Sequence, residues 1–185
     1  MKRKRILSLV LCAALCLSLA ACGRGAEGGE ASAQPSASPS AKTPEELADA
    51  YTQAIEAARD DEMNEYFPVV TNTTQTDATD QEMTFTVLGF APEDVSAYGV
   101  SLSLMNVNAY AIVAAMPAEG KEETVKTGLE NYIESQKSSF EFYLEDQFDI
   151  AAQAKLETLD DGTLLLVMCE GQDTVFDAIK TELEK

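Results

Sequence analysis

Histidine and tryptophan are absent from this chain of 185 residues, and only 13 basic residues stand against 32 acids. Without histidine there is no Ser-His-Asp triad and no usual zinc site. A nucleophilic cysteine would also lack its common base. No glycine-rich phosphate loop and no Gly-x-Ser-x-Gly elbow occurs. With few aromatics and no tryptophan, a sugar-stacking platform has little material. The acidic excess argues against nucleic acid and anionic headgroups as partners, since both are themselves negative.

Cysteine is also scarce, and its placement is informative. Met1-Lys2-Arg3-Lys4-Arg5 opens the chain with four positive charges, and an apolar run of 16 residues follows from Ile6 to Ala21. A basic start before a short apolar segment is the pattern of a secretory signal, and a spanning helix needs roughly 20 residues. The segment ends Leu19-Ala20-Ala21-Cys22-Gly23. Small residues directly before a cysteine look like the lipobox of bacterial lipoproteins. Cleavage is therefore expected after Ala21, with lipid on Cys22; the competing reading is an incidental cysteine on a secreted chain. More than one acyl chain on a residue gives the stable anchoring that a single chain does not. Cys12 and Cys16 leave with the signal, so only Cys169 remains and no internal disulfide is expected. Cys169 follows Leu164-Leu165-Leu166-Val167-Met168, where a buried small hydrophobe is the expected role.

Loss of residues 1–21 removes four bases and no acid, leaving nine bases against 32 acids, a net charge of −23 rather than −19. Residues 22–43 carry the lipidated cysteine and a Gly/Ala/Ser/Pro tether without aromatic or branched aliphatic side chains. Such a segment cannot bury enough apolar area to offset its ordering entropy. A coil of about 20 residues reaches roughly 25 Å.

Residues 44–185 read as one domain. Thr43-Pro44-Glu45-Glu46 forms a capping box with proline in the first helical position, and Leu47, Tyr51, Ala54, Ile55 and Ala58 recur at helical spacing towards Asp60. Thr71 to Asp80 reads as loop, and Gln81 to Leu88 is open between helix and strand. Val100, Leu102 and Leu104 alternate with Ser101 and Ser103 as a half-buried strand. Ala109 to Met116 is apolar on both faces, as in a more central strand. Asn106 and Asn108 suit the turn between them. A long helix follows from Lys121, with Val125, Leu129, Tyr132, Ile133 and Phe140 on one stripe, continuing with a kink towards Phe148. Lys155–Leu159 and Thr163–Cys169 flank the turn Asp160-Asp161-Gly162. Asp173 is the expected cap of a last helix. The expected fold is α+β: an N-terminal helix, then a small antiparallel sheet built from two strand pairs with helices packed on one face.

The stretch from about Thr84 to Leu183 carries Gly89-Phe90, Pro92-Glu93-Asp94, Met105-Asn106-Val107-Asn108-Ala109, the helix Glu122 to Gln136, Phe140, Tyr143 and Gly162. In this set it resembles the domain of unknown function 4358 family, short lipoproteins mainly of clostridial and related Gram-positive bacteria. Acids often follow the Asn-x-Asn-Ala element in that family, whereas Tyr110-Ala111 stand here. The resemblance implies the compartment and the α+β layout, and assigns no catalytic residue.

Other candidate chemistry is thin. The pairs Asp60-Asp61, Glu93-Asp94, Glu145-Asp146 and Asp160-Asp161 read as caps and solvated surface, and no stretch has EF-hand spacing. Asn72-Thr73-Thr74 reads as loop rather than as a glycosylation acceptor. The expectation is a lipid-anchored protein on the extracytoplasmic face of the cell membrane, with no cofactor, metal or catalytic residue. It would act as a non-enzymatic module binding an envelope protein, wall polymer or small ligand. The alternative is a cell-wall hydrolase using two carboxylates facing each other across a cleft, roughly 5–10 Å apart. The stripe Tyr132, Phe140, Tyr143 and Phe148 reads as core, and exposure would instead mark a partner or ligand surface.

Overall fold

The computed structural model describes residues 42–74, 78–105 and 107–185. Cys22, with the expected signal and the expected tether up to residue 41, lies outside the described residues, as does Asn106 of the expected turn. The domain is α+β. Its single sheet contains β1 (Val70–Thr71), β2 (Val95–Leu102), β3 (Ala111–Pro117), β4 (Lys155–Thr158) and β5 (Leu164–Met168), in the order β1-β2-β3-β5-β4 with every neighbour antiparallel. Among the described residues six α-helices accompany it: α1 (Pro44–Ala57), α2 (Asp61–Tyr66), α3 (Ala78–Leu88), α4 (Glu122–Phe140), α5 (Glu145–Ala152) and α6 (Gln172–Leu183).

The two expected strand pairs exist, but they are fused. β3 lies directly against β5, Val113 opposite Leu166, and the short β1 extends the β2 edge. The helices also cover both faces of the sheet rather than one. The cause is visible along β5, where every side chain is buried. Leu164, Leu166 and Met168 join Val113 and Ala115 in a core with Phe85 of α3, Leu129 and Tyr132 of α4, and Ala151 of α5. Leu165, Val167 and Cys169 join Ile112 and Ala114 in a second core with Tyr51 and Ile55 of α1 and with Phe176 and Ile179 of α6. A strand apolar on both sides exposes one of them unless each has its own helical layer.

Local chemistry explains several boundaries. At the head of α1 the Glu46 backbone N–H donates to Thr43 Oγ1, and the Thr43 N–H donates to the Glu46 carboxylate at 2.8 Å. The helix ends at Ala57, three residues before the expected Asp60. Residues 81–88 are helical, as the body of α3, which begins inside the expected loop. The long helix stops at Phe140, and residues 141–144 separate it from α5. Asp173 does not cap α6. Gly171 holds that position, and Asp173 is the second residue of the helix, paired with Lys155 at 2.6 Å. In α4 a glycine is required by contact: a Cβ on Gly128 would stand 2.9 Å from the Leu88 carbonyl oxygen and from Phe90 Cδ1.

Candidate functional site

α1 delivers one charged side chain into the edge of the second core. Arg59, just past the helix end, is the only arginine after Arg24. Its Nε donates to Asn64 Oδ1 at 3.0 Å, and its Nη1 lies within donating distance of the Phe67 carbonyl (3.0 Å), Ser101 Oγ (2.8 Å) and Tyr110 Oη. All of these acceptors are neutral. A cation at this place also meets the negative end of the α1 dipole. The guanidinium thus ties α1, the α2–β1 connection, β2 and the start of β3 together. Its Nη2 is buried and has no hydrogen-bond partner. Leaving such a donor unsatisfied costs roughly 1–3 kcal/mol, and more where the group is charged.

Arg59 lines a cleft of about 480 Å³ at this end of the sheet, with Met63, Tyr110, Gln147, Cys169, Glu170 and Val175 also on its walls. That volume falls in the range of small-molecule sites, roughly 300–1,000 Å³. Tyr110 is held in place by stacking on Phe67, ring centroids 4.2 Å apart. Gln147 accepts the Ala109 N–H at 2.8 Å and so fastens α5 to the β2–β3 connection. Cys169 is a buried free cysteine, and burial pushes its thiol up to about 11. It is protonated at neutral pH and not activated as a nucleophile.

An apolar rim stands at the same end. Leu104, Met105 and Val107 of the β2–β3 connection are exposed, as are Phe142 and Tyr143 between α4 and α5. The expected aromatic stripe is therefore divided. Tyr132 and Phe140 are core, Phe148 packs partly buried against it, and Tyr143 is 86% exposed. A larger cavity of about 700 Å³ opens at the opposite end, among Pro44, Leu47, Met116, Leu159 and Leu183. Its walls include the last residues of the chain, and among the described residues no buried unpartnered polar atom belongs to it.

The acidic pairs are dispersed. Asp60 accepts the Met63 N–H at the head of α2, and Asp161 accepts both the backbone N–H and the hydroxyl of Thr163. Asp94 pairs with Lys121 at 2.8 Å and accepts the Ala91 N–H. Among the described residues no group of three or more Cys, Asp or Glu side chains is placed to hold a metal ion. Sequence reasoning passed over Arg59. The available signal was its singularity, one arginine in a domain whose other bases are all lysine.

Against known proteins, the profile of a family described as a domain of unknown function (DUF4358) matches residues 68–169. No curated protein and no solved structure matches the chain. The matched span runs from before β1 to Cys169, so α1, α2 and α6 flank it. The cleft is composite in the same way: Tyr110, Gln147, Ile150 and Cys169 lie inside the span, and Arg59, Met63, Glu170 and Val175 lie outside it.

Proposed function

This chain belongs to the DUF4358 family, a domain of unknown function, and we propose that it is a lipid-anchored envelope protein whose domain binds a ligand in the Arg59 cleft without transforming it. The observation that carries this reading is the guanidinium at the cleft, bonded only to neutral acceptors and retaining a buried donor without a partner. Apolar walls with a few convergent polar groups are what small-molecule sites present.

Two further features support it. Among the described residues, the carboxyls that depart from ordinary behaviour, Asp94 and Asp146, are both held low, by hydrogen bonds from Lys121 and from Gln147 respectively. A general acid of a glycosidase needs the opposite direction. The placement of the chain entry also fits a tethered binder. The tether would join at Thr43, and the 14 residues of α1, at about 1.5 Å each, carry the chain roughly 21 Å to the cleft end. The cleft thus lies at the end of the domain away from Thr43.

The test is a fragment screen on the purified full chain, with amide chemical shifts as the readout. Small carboxylates, amines and neutral sugars are added separately. The expected result is perturbation concentrated at Ala109, Gln147, Cys169 and Val175. Perturbation confined to the opposite end, around Leu47 and Leu159, or absent altogether, refutes the reading.

A further inference from the structure

We propose that the Arg59 cleft takes a free α-amino acid with an apolar side chain, its carboxylate directed to the Arg59 guanidinium and its ammonium to the Glu170 carboxylate. This rests on the reading of the domain as a ligand-binding module. Both charges line the same cavity. No ion pair joins them, although lysines elsewhere on the domain are paired with acids, as in Lys121–Asp94 and Lys155–Asp173. Both nevertheless act on one sulfur in the cleft wall. Beyond the dominant effect of burial, Arg59 draws the Cys169 thiol down and Glu170 raises it. The cleft therefore holds a separated positive and negative charge within Coulombic reach of a common point.

That separation selects among ligands. A simple anion would satisfy Arg59 but would be repelled by Glu170, in a chain of net charge −19. A simple cation would meet Arg59. A neutral ligand leaves both charges uncompensated. A zwitterion answers each, and Met63, Ile150 and Val175 supply apolar wall for its side chain. Asp60, the other acid on the lining, is already engaged at the head of α2. Arg59 Nη2 is closed to water in this structure, so a carboxylate reaches it only when a lining side chain swings aside. The flexible thioether of Met63 on the same lining is suited to that movement.

The experiment titrates the full chain with L-leucine, N-acetyl-L-leucine and L-leucinamide, following the same cleft amides and the heat of binding. Leucine is expected to bind, and each blocked form to bind about tenfold more weakly or worse, because each loses one charge-assisted contact. Glu170→Gln, at an exposed position, should weaken leucine by about tenfold and bring it level with N-acetyl-leucine. Equal binding of the three compounds, or an unchanged leucine affinity in Glu170→Gln, overturns the proposal. If leucine is silent while other fragments still perturb the cleft, the amino-acid assignment fails and the binding-module reading stands. If no compound moves those amides, both fall.

Discussion

Two buried tyrosines provide a test of the packing in which the sign of the effect is set by a single hydrogen bond. Tyr51 and Tyr132 are 1% and 3% exposed, one in each core. The Tyr51 hydroxyl lies 2.8 Å from Thr163 Oγ1, whereas the Tyr132 hydroxyl is buried with no partner. Removing a satisfied hydroxyl loses about 1 kcal/mol. Removing an unsatisfied one relieves a desolvation cost of roughly 1–3 kcal/mol. Tyr51→Phe should therefore destabilise by about 1 kcal/mol and Tyr132→Phe should stabilise by about the same, moving the melting temperature roughly 3 °C in opposite directions. Urea unfolding followed by far-UV circular dichroism at neutral pH measures both changes. The alkaline limb gives a second readout. Burial pushes both phenols up to about 12 from an ordinary 10.0. Because the folded values are raised, their contribution is complete below pH 10 and is lost as pH climbs from 10 towards 12. For Tyr132 the loss amounts to roughly 3 kcal/mol, and Tyr132→Phe should flatten that limb accordingly. If Tyr132→Phe destabilises as much as Tyr51→Phe, the Tyr132 hydroxyl has a partner and the reasoning is wrong.

Gly128→Ala should destabilise by about 2 kcal/mol despite the better helix propensity of alanine, because the new methyl meets the Leu88 carbonyl oxygen at 2.9 Å; a thermal melt at or above the parent value would contradict this. Cys22→Ala should move the protein from the membrane fraction to the medium or leave it unprocessed, and mass spectrometry of the parent should find lipid on Cys22. Unchanged membrane association together with an unmodified Cys22 would sink the anchor.

Much of the fold was legible because its signals are local. The capping box at Thr43 fixes the start of α1 by contacts three residues apart, and Gly162 turns the second hairpin where the sequence places it, at φ +93°. The two-sided apolar run of β3 was legible too. Its consequence, a helical layer on each face, follows only when β5 is granted the same property and set beside it. α3 was obscure because its apolar residues do not form one stripe: Phe85 and Leu88 are buried while Met83 and Val87 are exposed. A strand of two residues has no period to detect. Tyr143 was misplaced by extending the helical period beyond Phe140, where the helix ends.

The cleft was illegible for a different reason, since its position depends on a contact between elements far apart in sequence. A Cβ on Gly99 of β2 would stand 2.8 Å from Tyr51 Cβ, so the absent side chain lets α1 lie directly on the sheet. Tyr51 is held there by its bond to Thr163 at the head of β5. Eight residues further on, two turns down the same helix and past its end, Arg59 comes within reach of Ser101, two residues along β2 from Gly99. A lysine in that place could supply the charge but not the planar fork that addresses Asn64 on one side and Phe67, Ser101 and Tyr110 on the other. The depth of α1, set by Gly99, thus decides whether the guanidinium serves as a tie between four segments. The same depth leaves its last donor buried without a partner.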